Sequence, residues 1–260
     1  MLVFVGERKR GRGKGERDTA GGLVDWESLE FINFRYYDGY ALAIFAMVVT
    51  LQLRQLDVPP GQRLLVHNLD WPEFENILAE LGESRAARIA YDHGTLEIRM
   101  PTPEHEVDKE LIGDLVKILL DELEIDCECF GSTTFKQDIM NSGIEPDQCF
   151  YIQNHTQMRG KRRVDLSTDP PPDLAIEIDV TSKTQMNAYV TLGVAELWIY
   201  EQGSLNIYRL QAGQYVPVDA SPTFPEMPIA EWVADLLVQS AEVGRSPALR
   251  AFRKKVQQLV

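Results

Sequence analysis

Between Leu69 and Leu123 the spacing of apolar residues changes twice, and each change marks an element boundary. From Leu69, the segment Asp70-Trp-Pro-Glu-Phe74 opens a helix: Asp70 is placed to cap it, Pro72 suits its first turn, and Phe74, Ile77, Leu78 and Leu81 recur at helical intervals. Two short apolar runs, Arg88 to Tyr91 and Leu96 to Met100, then flank Asp92-His93-Gly94, which predicts a β-hairpin. Pro101-Thr102-Pro103 stops the second strand. Beyond it Val107, Leu111, Leu115, Ile118, Leu119 and Leu123 form one stripe of a long helix.

Strands are predicted over 126–138, 148–153 and 173–180. A polar loop, Asn154 to Pro172, carries the basic cluster Arg159-Gly-Lys-Arg-Arg163, and a short helix is predicted over 183–192. Glu196 to Tyr200 and Leu205 to Leu210, joined across Gly203-Ser204, form a second hairpin, extended by Tyr215 to Val218. Helical spacing returns over 229–241 and 247–259. This order of elements predicts an α/β fold, a mixed β-sheet flanked by helices with an added β-hairpin region.

Residues 6–22 are rich in Gly and Arg and lack apolar spacing, so they read as a flexible tail. The expected organisation is an extension over 1–46, flexible or lying upstream of a start at Met47, a domain over 47–240 and a C-terminal helix over 241–260. The apolar run from Tyr40 to Val49 is too short to span a membrane, and the acids beside it do not suit a signal peptide. Cys127, Cys129 and Cys149 form no C-x-x-C pair and make an odd count. A disulfide framework or zinc site is not expected, and a cytoplasmic location is.

The net charge of −14 bears on function. Residues 1–46 hold seven basic and seven acidic side chains, so the whole excess falls on residues 47–260. Phosphate binding ordinarily requires a basic footprint, and this chain has an acidic one. The candidate chemistry lies in Pro171-Pro-Asp-Leu-Ala-Ile-Glu-Ile-Asp-Val-Thr-Ser-Lys183. Glu177 and Asp179 sit two apart in an apolar strand, so both face the same way. A buried carboxylate is costly unless it is paired or holds a metal. Upstream, Glu145-Pro146-Asp147 opens another apolar run, and two strands that each present an acid can make an oxygen-rich pocket for a hard divalent cation.

Together these segments resemble a bacterial family described as "putative restriction endonucleases", formerly a domain of unknown function, in the PD-(D/E)XK nuclease superfamily. The resemblance rests on Asp92-His93-Gly94-Thr95-Leu96-Glu97, Pro101-Thr-Pro-Glu-His-Glu106, Pro146-Asp147, Gly160-Lys-Arg-Arg163 and the prolines before Asp173. The strand through Ser182 and the segment from Tyr189 to Tyr200 complete it, over roughly residues 65–235. It implies a restriction-endonuclease-like fold and a Mg²⁺- or Mn²⁺-dependent DNA phosphodiesterase. Asp147 and Glu177 would hold the metal, Glu106 would be the acid supplied by the helix, and two copies would cut both strands as a homodimer. The motif places a lysine two residues after the second acid, where this chain has Asp179. Lys183 is then the candidate cation, and Asp179 a candidate third metal ligand.

Other residues carry weaker readings. His105 is a base, a phosphate contact or a capping residue, and the Lys161-Arg162-Arg163 cluster is a phosphate contact or a solvated loop. Asp173 reads as a cap at the strand start, Trp198 and Tyr200 as sheet packing, and His67, His93 and His155 as turn residues. No Gly-x-Ser-x-Gly elbow or Walker loop occurs, which disfavours acyl-enzyme and nucleotide-binding chemistry. The competing class is a catalytically inactive nuclease fold serving as a binding or assembly module, which Asp179 in the lysine slot and the acidic charge favour. A two-carboxylate glycoside hydrolase is weaker, because few aromatics flank Asp147 and Glu177.

Overall fold

The computed structural model describes residues 2–6, 36–37, 40–41, 47–51, 55–82, 86–137, 141–179 and 186–259. The chain divides into two units, Met1–Asp57 and Val58–Val260. The first contains the strands β1 (Leu2–Gly6), β2 (Tyr36–Tyr37), β3 (Tyr40–Ala41) and β4 (Met47–Leu51), with β1 antiparallel to β4 and β2 to β3. Apart from Gly6, the tail expected over 6–22 lies outside the described residues.

The second unit begins with β5 (Arg63–His67), α1 (Trp71–Leu81), β6 (Arg88–Asp92) and β7 (Thr95–Arg99). Asp70 caps α1 as expected: its side chain accepts from Glu73 N at 2.8 Å, and Glu73 reaches back to Asp70 N at 2.9 Å to complete a capping box. The β6–β7 turn needs left-handed backbone at both central residues, and His93 (φ 44°) and Gly94 (φ 88°) provide it. Strand β5 pairs with β7 and was not anticipated.

Helix α2 (Pro103–Glu122) is capped by Thr102, whose hydroxyl accepts from His105 N. Its buried stripe runs through Leu111, Ile112, Leu115, Val116 and Leu119, but Val107, expected on that stripe, is exposed. The first two turns instead bury His105 and Lys109.

The continuous strand expected over 126–138 is two pieces in different sheets, β8 (Glu128–Cys129) and β9 (Phe135–Gln137). Between them Gly131 takes a left-handed conformation (φ 56°). Ser132 and Thr133 donate their hydroxyls to the carbonyls of Asp147 and Phe130, a local alternative to ladder bonding. Strand β10 (Ser142–Ile144) follows, then β11 (Gln148–Tyr151), the short helix α3 (His155–Met158), β12 (Leu174–Ile178) and α4 (Met186–Leu192). The unit ends with β13 (Glu196–Glu201), β14 (Ser204–Gln211), β15 (Gln214–Val218), α5 (Ile229–Val243) and α6 (Arg245–Gln257).

The expected mixed α/β architecture is observed, with its strands in two sheets. One is antiparallel with order β5-β7-β6-β10-β9; the other is mixed with order β15-β14-β13-β12-β11-β8, its one parallel pair being β12 with β13. Alternation along β12 sends Leu174, Ile176 and Ile178 into a core shared with α2, α5 and α6. Ala175 faces the opposite cluster, where Phe135 and Ile144 of the antiparallel sheet meet Leu197 and Ile199 of the mixed sheet, with Ala188, Tyr189 and Leu192 of α4 beside them. The two sheets therefore pack along a seam next to α4. Glu145-Pro146-Asp147 is the three-residue joint by which the chain passes from β10 in one sheet to β11 in the other.

At one point this packing has no spare room. A Cβ at Gly143 would lie 3.1 Å from Phe74 Cζ and 3.2 Å from Lys136 Cβ, and the Phe74 ring is itself stacked on Tyr91 at 4.4 Å. Gly143→Ala is expected to destabilise the protein by about 1–3 kcal/mol, the usual cost of overpacking. A lower urea midpoint at unchanged m-value is the check.

Candidate metal-binding carboxylate site

The joint between the sheets places the first acid. In the ladder of β11 with β12, Gln148 lies opposite Ile176; one step beyond the end of β11, Asp147 comes opposite Glu177. Acids thirty residues apart thus become lateral neighbours on one face. Asp179, two residues on, shares that face. All three are buried: Asp147 is 0% exposed, Glu177 2% and Asp179 8%.

Their neutralisation comes from the other sheet. Arg99, the last residue of β7, donates from Nη2 to Glu177 Oε2 at 3.0 Å and from Nη1 to Asp179 Oδ1 at 3.4 Å. The same Nη2 is 4.0 Å from Asp147 Oδ2. Arg88, opposite Arg99 in the β6–β7 ladder, has Nε 3.6 Å from Asp147 Oδ1 and Nη2 3.3 Å from Glu106 Oε1. The tight Pro101-Thr102-Pro103 link lets α2 begin beside the end of β7, so His105 and Arg99 converge on one acid.

His105 Nε2 lies 2.9 Å from Asp147 Oδ2. An ionised carboxylate only accepts, so Nε2 carries the hydrogen. Ile178 N donates to the same oxygen at 2.9 Å. Asp147 Oδ1, Arg88 Nε and His105 Nδ1 are buried without a hydrogen-bond partner.

Environment drives the two central acids apart. Burial pushes Asp147 up, but the His105 hydrogen bond and the Arg99 charge outweigh it and hold its carboxyl below the usual range. Burial raises Glu177 well above the usual range, the neighbouring Asp147 adds to this, and Arg99 only partly offsets it. Tyr189 of α4 donates its hydroxyl to Glu177 Oε1, and burial together with Glu177 raises that phenol well above its ordinary range.

Glu106, near the mouth of the site, is half-exposed and accepts from Lys109 Nζ at 2.9 Å. Burial raises its pKa, but Lys109 and Arg88 outweigh that and lower it. The structure therefore brings Glu106, Asp147, Glu177 and Asp179 together, while Lys183 lies outside the described residues. Arg99, Arg88, Lys109 and Tyr189 were missed. For Arg99 a signal existed, a cation lodged between Ile98 and Met100 in a hairpin strand.

Other candidates sit elsewhere. Asp173 accepts from Ile152 N, Asn154 N and the Asn154 side chain, and so holds a turn. His67 contacts Thr95, His93 contacts Asp92 and His155 contacts the Ile152 carbonyl. Lys161 is paired with Asp169.

Among the described residues no group of three or more His, Cys, Asp or Glu side chains is arranged to hold a metal ion. The donor set itself fits a hard divalent cation: Asp147 and Glu177 offer carboxylate oxygens, and Asp147 Oδ1 is a buried acceptor that nothing saturates.

A family model described as "Uma2: Putative restriction endonuclease" matches residues 71–238. Among solved structures, the chain is similar to one described as a putative nuclease belonging to DUF820 from Anabaena variabilis. The identity is 17% and the TM-score 0.44, over 64% of this chain and 99% of that one. No curated protein matches.

The Tyr189 contact yields a direct test. Tyr189→Phe removes the hydroxyl that Glu177 Oε1 accepts from and leaves the ring in place. We expect a loss of about 1–2 kcal/mol, in the range for a buried hydrogen bond, read as a lower urea midpoint.

Proposed function

Since this chain belongs to the Uma2 family, described as putative restriction endonucleases, we propose that it hydrolyses DNA phosphodiester bonds with a bound Mg²⁺ or Mn²⁺. The observation that carries this reading is the lateral pairing of Asp147 with Glu177, buried and facing one way, with Asp147 Oδ1 unsaturated.

Asp147 and Glu177 would hold the metal, with Asp179 as a further oxygen donor. Once bound, the ion would lower the pKa of a water and stabilise charge on the phosphate. The protein's own groups do the rest. His105 and Ile178 N fix the orientation of Asp147 through its Oδ2, and Oδ1 is left without a hydrogen bond. Glu106 is the acid nearest solvent, held by Arg88 and Lys109, whose cations are placed to meet a phosphate at the mouth. The lysine slot holds Asp179, so the fixed positive charge at the centre of the site comes from Arg99, on the other sheet. Lys183 would add a second cation if its long stem returns to the site.

A second reading, a nuclease fold that binds without cutting, is favoured by that same substitution. A plasmid assay separates the two. Full-length protein is expected to nick supercoiled DNA with Mg²⁺ or Mn²⁺ at low salt, and to stop when a chelator removes the metal. Glu177→Ala is expected to lower the rate by more than about a hundredfold, beyond what loss of an outer-shell partner costs. Equal nicking by parent and variant, or none by either on double- and single-stranded substrates, would move the assignment to the binding module.

A further inference from the structure

We propose that Arg99 competes with the divalent cation for the oxygens of Glu177, Asp179 and Asp147, so that this arginine sets the metal affinity of the site. The inference rests on the metal-site reading above and deepens it.

The guanidinium is planar, and its two Nη atoms take different acids: Nη2 reaches Glu177 Oε2 at 3.0 Å and approaches Asp147 Oδ2 to 4.0 Å, while Nη1 reaches Asp179 Oδ1 at 3.4 Å. A divalent cation held by the carboxylates of Glu177 and Asp147 would draw on the same negative charge, and the guanidinium beside them would repel it. A lysine could leave such a contest by losing its proton, since burial readily shifts its pKa. Arginine cannot, so a metal must enter against the guanidinium charge or displace it.

The backbone beneath Arg99 is held on both sides. Arg99 is paired with Arg63 in β5 and with Arg88 in β6, Met100 N donates to Gln62 O at 3.1 Å, and Gly61 N donates to Met100 O at 2.7 Å. Movement therefore belongs to the side chain. Its surroundings are biased as well: Arg63, Arg99 and Arg88 lie on one rung across three strands and point to one face, and like charges directly opposite repel. Arg63 is compensated by Glu97 and Arg88 by Glu106 and Asp147, while Arg99 is hydrogen-bonded to Glu177 and Asp179. Arg99 is held by these acids, and it keeps other cations from them.

The test is a calorimetric titration of Mn²⁺ into full-length parent, Arg99→Gln and Arg99→Lys, each checked for native near-UV circular dichroism. Removing a unit charge within about 4 Å of the ligand oxygens is expected to tighten Mn²⁺ binding at least about tenfold in Arg99→Gln. Arg99→Lys keeps the charge, loses the fork and should fall between the two. Equal or weaker binding in the folded variants overturns the proposal. If Arg99→Gln does not fold, Arg99→Lys decides alone: tighter binding supports the inference and unchanged or weaker binding overturns it. The readout needs no DNA. Mn²⁺ uptake without nicking would sink the nuclease reading and leave this one standing, whereas no uptake by any of the three proteins overturns both.

Discussion

Arg99 is the cation that Glu177 and Asp179 share inside this protein. Burying an ionised group costs several kcal/mol even after relaxation, and a single guanidinium fork answers two carboxylates at once. The arrangement of the sheets follows from that requirement. Acids delivered by β12 and by the β10–β11 joint need cations, and these come from β6 and β7 across the seam. The pairing is also why the site sits between sheets: Glu177 and Asp179 come from the β12 side of the seam and the guanidinium that meets them from β7.

The local half of this architecture was legible in the chain. Asp70 and Pro72 announce the start of α1, His93-Gly94 the hairpin turn, and the apolar run of β12 its burial, because each rests on contacts within a few residues. The rest depends on long-range partners. The Arg99–Glu177 pair spans 78 residues and the His105–Asp147 pair 42, and no periodicity encodes either. The 126–138 segment was misread for a related reason. It has strand composition throughout, but Gly131 and the hydroxyls of Ser132 and Thr133 turn the backbone and send its two ends to different sheets. Val107 illustrates the converse: it obeys the helical stripe, yet the first two turns of α2 give their inner positions to His105 and Lys109, which serve Asp147 and Glu106.

The acidic balance of the chain looks different once the site is in place. Much of the positive charge near the carboxylates is drawn up into one rung, Arg63, Arg99 and Arg88, and is engaged with acids there. The basic loop at 159–163 is engaged in part as well, since Lys161 pairs with Asp169. A polyanion approaching the site would meet cations already neutralised, so binding strength would depend on how readily those pairs open. That dependence favours transient contact with a backbone over tight, sequence-independent adhesion.

Burial alone does not mark an acid as functional here, and Glu196 shows why. It is as buried as Glu177 and lies on the neighbouring strand β13, yet its oxygens are saturated by neutral donors: Trp198 Nε1 and Ser221 Oγ on one, Thr223 N and Oγ1 on the other. Those bonds tie the loop before α5 to the sheet, and they leave no lone pair turned toward a cation. Asp147 is built the other way. One oxygen is fixed by His105 and Ile178 N while the other is buried without a hydrogen bond from the protein, beside an arginine at 3.6 Å. Leaving a buried acceptor unsatisfied costs about 1–3 kcal/mol. A purely structural role for Asp147 gives no reason to bear that cost, because a neutral hydroxyl or amide in place of Arg88 would remove it. A cation-binding role does give one, since saturating Oδ1 from within would remove the oxygen the ion needs.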